Sequence, residues 1–211
     1  MVKIDLITGF LGSGKTTFLK KYAKRLMEQG QNIGILENDF GAVNVDMMLL
    51  QELEGEQCEL EMISGGCDPE THRRRFRTKL IAMGMCGYDR VLVEPSGIYD
   101  MDEFFDVLHE EPLDQWYEIG NVIAVVDARL EDTLSPEAEY LLASQAANAG
   151  CMILSKCDTA TEEQRQNTIA HLKRSLAALG CKQRADQKIL CEGAEPLPDQ
   201  EFAAILSCGY Y

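Results

Sequence analysis

Between a β-branched run at Val2–Thr8 and an amphipathic run at Lys15–Glu28, the chain reads Gly9-Phe10-Leu11-Gly12-Ser13-Gly14-Lys15-Thr16, which fits G-x-x-x-x-G-K-[ST]. This pattern constrains the chain more than any other feature, because each residue type answers one physical need. Glycines let successive backbone N–H groups close around phosphate oxygens, and the helix that follows adds the positive end of its dipole. A lysine there neutralises the β and γ phosphates of a nucleoside triphosphate. Gly9, Gly12, Ser13, Gly14, Lys15, Thr16 and Thr17 are therefore the candidate nucleotide-binding residues; Lys15 is also a candidate catalytic residue, and the Thr16 hydroxyl a candidate Mg²⁺ ligand. The bland alternative, a glycine-rich turn that happens to precede a lysine, does not explain why a strand comes before it and a helix after.

The rest of the chain repeats the strand-then-helix rhythm. Short apolar runs at 32–36, 59–63, 88–93, 122–126, 151–154 and Lys188–Cys191 predict strands. Runs with helical spacing at 71–85, 136–149, 162–179 and Asp199–Leu206 predict helices, and 38–56 reads as polar and irregular. Such alternation predicts an α/β fold of βαβ units around a largely parallel sheet, with 1–190 as one nucleotide domain. The segment 191–211 then reads as a short tail or as the start of a further C-terminal domain.

Composition narrows the partners. The 211 residues carry 20 Lys+Arg against 35 Asp+Glu, a formal net charge of −15, which repels phosphate backbones and anionic lipid heads. Neither nucleic acid nor a membrane surface is an expected partner. The apolar runs fall short of the roughly 20 residues of a membrane span, and eight unpatterned cysteines suit reduced thiols, so the expected location is cytoplasmic.

Two further segments face the same site. The strand at 88–93 runs into Glu94-Pro95-Ser96-Gly97, which puts an acid at the carboxyl end of a central strand, where open α/β sheets bind ligands. Glu94 is a candidate to hold Mg²⁺ or position the attacking water, and Gly97 to offer its N–H to a γ-phosphate; the alternative for Glu94 is a solvated strand-end carboxylate. Ser155-Lys156-Cys157-Asp158 follows another strand and reads as Asn-Lys-x-Asp with Ser155 in place of Asn. Asp158 would accept two hydrogen bonds from guanine while the Lys156 stem covers the base. An ordinary strand-to-helix turn with Asp158 near the helix start is the alternative, and Ser155 leaves an ATP-using protein open.

In order, these motifs resemble the CobW-like metal-chaperone GTPases, relatives of the nickel-insertion GTPases of urease and hydrogenase maturation. The resemblance rests on 8–17, on Glu37-Asn38-Asp39-Phe40-Gly41 with Asn44-Val45-Asp46, on Gly66-Cys67, and on the segments at Glu94 and Ser155, and it covers about 1–180. It implies a P-loop NTPase fold with three α/β/α layers, Mg²⁺-dependent GTP hydrolysis, and a client metalloprotein or metal-dependent enzyme as partner; a slow rate is expected because no unambiguous arginine finger stands in the chain. It also places Asp39 in the first switch, as a candidate catalytic and Mg²⁺-binding residue. One departure bears on metal transfer. Metal-carrying members read Cys-x-Cys-Cys after the glycine that corresponds to Gly66, whereas this chain reads Cys67-Asp68-Pro69-Glu70. Cys67 is then the remaining thiol for Zn²⁺ or Co²⁺, with Asp68, Glu70 and His72 making a harder site, or it is a leftover loop cysteine. The departure favours a second reading: a nucleotide-dependent interaction module that carries no metal itself.

Other features carry weaker signals. The basic run His72 to Arg77 with Lys79 is either a solvated helix face or an anion contact, and Asp102, Glu103, Asp106, Glu110 and Glu111 read as a charged helix surface. Met47 to Leu50 is a partner surface or loop packing, and Trp116 and Tyr117 fill a core edge.

Overall fold

β4 (Arg90–Pro95) is buried at every position, as a strand is when helices cover both faces of a parallel sheet. The computed structural model describes residues 1–39, 45–64, 68–97, 101–181, 187–192 and 197–211. In it β4 lies between β2 (Ile33–Asp39) and β1 (Val2–Thr8). β3 (Cys58–Ser64) extends the sheet beyond β2, and β5 (Tyr117–Asp127), β6 (Cys151–Ser155) and β7 (Lys188–Cys191) extend it on the other side. The seven strands run in the order β3-β2-β4-β1-β5-β6-β7, and every ladder between them is parallel.

Alternation along the strands sorts the core into two layers. Ile7, Leu92, Ile123 and Ile153 turn towards α1 (Lys15–Glu28), α2 (Val45–Leu50) and α8 (Asp199–Leu206), where they meet Phe18, Tyr22, Leu50 and Phe202. Leu6, Val93, Ala124 and Leu154 turn the other way. There they meet Phe76 of α3 (Pro69–Gly84), Phe104 of α4 (Met101–Leu108), Leu113 of α5 (Leu113–Trp116), Leu142 of α6 (Pro136–Asn148) and Leu172 of α7 (Glu162–Ala178). The result is the expected α/β/α sandwich. No described helix is long and apolar enough to cross a membrane.

The chain after β7 returns to the sheet. Phe202 meets Tyr22 edge to face at 5.9 Å, Tyr210 bridges to Ala149, and Val122 N–H donates to Gly209 O at 2.9 Å. Elsewhere local patterning falls short of the structure. β5 starts at Tyr117, because Tyr117, Glu118 and Ile119 pair with β1 although no apolar run marks them. The stretch read as irregular contains α2 and a 3-10 turn at Gln51–Leu53, anchored by buried Leu50 and Leu53.

Candidate nucleotide site

β1 ends in mid-sheet, and the loop after it uses backbone that few side chains reach: φ is 147° at Gly9, 74° at Gly12 and 93° at Gly14. A Cβ on Gly9 would run into the Val125 carbonyl, and one on Gly97 into the backbone of Phe10 and Leu11. Gly97 is therefore packed directly against the loop. Ser13 N–H donates to Phe10 O at 3.1 Å, and Lys15 Nζ, 7% exposed, donates to the same oxygen at 3.3 Å. The helix that follows is set up differently from others in the fold. Asp68, Ser135 and Thr161 cap α3, α6 and α7 with side-chain oxygens, whereas α1 starts at Gly14 with no side-chain cap and no acid in its first turn. A helix start left uncovered by its own side chains presents its N–H groups to an anion.

Beside this loop, alternation turns Glu94 of β4 and Glu37 of β2 to the α1 side, and the two are cross-strand neighbours in register. Glu94 is 3% exposed and Glu37 2%, so neither is a solvated strand-end carboxylate. The Thr16 hydroxyl donates to Glu94 Oε1 at 2.8 Å. Mg²⁺ takes oxygen donors, with one or two carboxylates beside water and phosphate, and this set supplies oxygen alone. Thr16, Glu94 and Glu37 fit such an ion. Glu37 went unassigned in the sequence, and the signal for it is structural: an acid at the carboxyl end of a strand that becomes β4's neighbour. Asp39 ends β2 opposite Ser64; its side chain, like Cys67 as a whole, lies outside the described residues.

On the far side of the loop a cavity of about 200 Å³ is walled by Thr17 and Lys21 of α1, by Ser155, Lys156 and Asp158 after β6, and by Glu192 after β7. Thr161 and Gln164 form a complete capping box on α7, so Asp158 has no capping duty and stands exposed at the cavity. Lys156 holds φ at 56°, and its Nζ donates to Gly12 O and to Asp127 Oδ2, each at 2.7 Å. That posture lays its stem along the phosphate loop. The Ser155 hydroxyl donates to Ser13 O, so the residue that replaces Asn braces the loop from behind. Lys21 Nζ lies 2.9 Å from Glu192 Oε1 and closes the wall. Burial works to raise the Asp127 pKa, but hydrogen bonds from Arg129 and Lys156 outweigh it and hold the carboxyl at about 2. Asp127, Lys21 and Glu192 escaped the sequence reading, although Asp127 and Glu192, like Glu94, stand at or just past the carboxyl ends of strands.

The charged runs answer one another. Arg73 pairs with Glu110 at 2.7 Å, Arg77 with the same carboxylate at 2.8 Å, and buried His72 meets Glu103 at 3.0 Å. Part of the basic run is thus engaged by the acidic one, while Lys79 pairs with Glu61 at 2.6 Å. Asp68 caps α3 through Thr71 N–H at 2.8 Å, and His72 turns inward; the metal set expected around Cys67 falls at a residue outside the described ones. Among the described residues no group of three or more His, Cys, Asp or Glu side chains is arranged to hold a metal. The apolar run of α2 divides: Leu50 is buried, Met48 and Leu49 are exposed. Tyr117 donates to Leu80 O at 2.8 Å and fills a core edge, as expected.

The sequence profile of the CobW/HypB/UreG nucleotide-binding domain matches residues 3–182. The chain belongs to this family. Two curated relatives from Escherichia coli (strain K12) are the zinc chaperone YjiA, 29% identical over 172 residues, and the zinc chaperone YeiR, 29% identical over 167. Those alignments cover 78% and 79% of this chain but 52% and 50% of the relatives, so this CobW/HypB/UreG chain spans about half the length of the curated relatives it matches. A crystal structure of a LAO/AO transport system kinase superposes with a TM-score of 0.60 at 18% identity, over 99% of this chain and 59% of that one, a likeness of fold.

Proposed function

We propose that this CobW/HypB/UreG domain binds GTP with Mg²⁺, hydrolyses it slowly, and uses the nucleotide state to drive a metal chaperone or metalloprotein activator. The observation that carries the reading is the uncapped start of α1 behind a glycine loop, with Lys15 buried in it and Thr16 held by Glu94. Catalysis in such a site is positioning and electrostatics. Lys15 and the loop amides take the phosphate charge, Thr16, Glu94 and Glu37 would hold Mg²⁺, which would supply charge neutralisation, and Glu94 or Asp39 orients the attacking water. Gly97 presents its backbone to the γ-phosphate. A slow rate is expected because no arginine among the described residues stands out as a finger, and Arg73 and Arg77 are paired with Glu110. Asp158 and the Lys156 stem select guanine, with Thr17, Lys21 and Ser155 completing the cavity.

A second reading is favoured by Cys67 standing alone where metal carriers have three thiols: a GTP-dependent interaction module that activates a client without carrying metal. Thermal-shift titration with GTP and ATP, each with Mg²⁺, repeated with Zn²⁺ or Co²⁺, separates them. Stabilisation by GTP that grows with the transition metal supports the chaperone, and stabilisation indifferent to metal supports the module. Asp158→Asn should lower GTP affinity at least about 10-fold and leave ATP untouched, the loss expected for hydrogen bonds to a charged acceptor; equal loss of both would overturn guanine selection. Lys15→Ala should abolish nucleotide stabilisation in a folded chain, and an unchanged GTP shift would remove the phosphate-loop assignment.

A further inference from the structure

Two loops wall the base cavity, the one after β6 and the one after β7, and a cysteine sits in or beside each. Cys191, the last residue of β7, pairs in register with Leu154 of β6, and Glu192 N–H, one residue on, donates to Leu154 O at 2.7 Å. Cys157 donates its thiol to that same Leu154 oxygen at 3.2 Å. Both residues are therefore anchored at one carbonyl, Cys157 through its thiol and Cys191 through the backbone beside it, and the Cys191 thiol is near enough to raise the pKa of Cys157. Cys157 is buried and Cys191 exposed, so one sulfur is open to a reagent and its neighbour is shielded. We propose that Cys157 and Cys191 form a redox-active dithiol that a small-molecule disulfide of the glutathione type closes into a bridge, and that the bridge weakens nucleotide binding in the adjoining cavity. The effect on nucleotide rests on the reading of that cavity as the base site.

The chemistry balances without any other co-reactant. The Cys191 thiolate attacks one sulfur of the small disulfide and expels one thiolate, which takes up the proton that Cys191 gave. Cys157 then loses its proton, attacks Cys191 Sγ in the mixed disulfide, and expels the second small thiol. Two electrons pass from the protein to the small disulfide, and two protein thiols become one S–S bond. Burial, then the neighbouring Cys191 thiol, push the Cys157 thiol up to about 12. The second contribution disappears once Cys191 is in the mixed disulfide, so the resolving step is eased by the step before it.

The bridge strains the cavity because of where its ends lie. Sulfurs in a disulfide stand about 2.05 Å apart, well inside the contact distance of two unbonded thiols, so the two loops must draw together. Cys157 then surrenders its bond to Leu154 O, and its chain neighbours are Lys156 and Asp158. Displacing Asp158 costs guanine binding about 10-fold, the weight of one hydrogen bond to a charged group. By linkage, saturating GTP must oppose the bridge by the same factor, about 30 mV in the potential of a two-electron couple.

The test equilibrates the full chain in glutathione buffers of graded ratio, with and without GTP and Mg²⁺. Disulfides are mapped by non-reducing peptide mass spectrometry, and GTP affinity is measured by titration. The expected result is a peptide joining Cys157 to Cys191, a GTP affinity lower by about 10-fold, and full recovery with dithiothreitol. Cys191→Ser should bind GTP as the parent does and be insensitive to oxidant. A map without that peptide overturns the proposal, and so does a bridge that leaves GTP affinity unchanged. So does equal sensitivity in Cys191→Ser, which would point to another pair such as Cys151 and Cys208, also neighbouring thiols. A reduced chain that binds no GTP would sink the base-site reading and the coupling with it, while the map still decides the bridge by itself.

Discussion

β1 and β4 carry two buried polar clusters, one at each end and both on the α1 face, and their chemistry is opposite. At the amino end, Arg90 Nη1 donates to both oxygens of Asp5 at 2.7 and 2.6 Å. Tyr22 and Asn121 N–H each add a hydrogen bond to Asp5 at 2.8 Å, and Asn121 Oδ1 takes Gly209 N–H at 3.0 Å. One carboxylate meets one guanidinium, and the Asp5 side chain is sealed at 0% exposure. Burial, then the Asp5 charge, push the Tyr22 phenol well above its ordinary pKa, so it remains a donor. At the carboxyl end, about 13 Å away along the strand, Glu94 and Glu37 stand side by side on neighbouring strands, with the Thr16 hydroxyl donating to Glu94. The closed cluster holds the fold and ties down the C-terminal residues. The other is an arrangement of oxygens that suits a cation brought in with a nucleotide.

The contrast breaks most visibly at Asp5. Asp5→Ala leaves the Arg90 guanidinium buried without its partner and should cost about 3–5 kcal/mol in urea unfolding. Gly120→Ala should approach it, since a Cβ there collides with Asp5 Oδ1. A loss below about 1 kcal/mol for Asp5→Ala would mean that the sealed cluster is not what secures this end of the sheet. At the other end, Glu94→Gln and Glu37→Gln should lower Mg²⁺-dependent GTP affinity about 10- to 100-fold, while the nucleotide-free chain keeps its urea midpoint. If the midpoint drops as far as in Asp5→Ala, the two clusters are structural alike and the division of labour is wrong.

Much of this was legible in the sequence, and what was not has a common cause. The phosphate loop, Glu94 and the apolar strands are local patterns, and buried runs such as Val91 to Val93 reveal themselves by composition. Glu37 and Arg90 acquire their meaning from strand order, because β2 reaches β4 and β4 reaches β1 only through long crossovers. Arg73 and Glu110 each read as surface charge in isolation; their pairing needs α3 and α4 to lie side by side. The first four residues of β5, Tyr117 to Gly120, lack an apolar run because Gly120 must leave room for Asp5.

A smaller effect sharpens the comparison through pH. Asp127, also at the nucleotide end, has cations beside it, Arg129 at 3.2 Å and Lys156 at 2.7 Å. Its folded pKa of about 2 lies below the unfolded value of 3.8. The sign follows: the stabilisation is present above pH 3.8 and is lost as pH falls towards about 2. Asp127→Asn should cost about 1–2 kcal/mol at neutral pH and flatten the loss of stability that the parent shows as pH falls from 3.8 towards about 2. A parallel acid-unfolding profile in the variant would show that the pairing to Lys156 contributes nothing.

The smallest expected effect separates the two roles that Asn plays in the family motif and Ser155 plays here. The Ser155 hydroxyl reaches back to Ser13 O and, at 3.3 Å, to Val126 O, so it braces the phosphate loop against β5 and β6. Ser155→Ala should cost about 1 kcal/mol of stability, the value of a neutral buried hydrogen bond. It should weaken GTP and ATP equally, because a brace acts on the phosphates that both nucleotides share. If GTP alone weakens, Ser155 reads the base after all, and the nucleotide end of the sheet then carries its specificity on two residues, Ser155 and Asp158, instead of one.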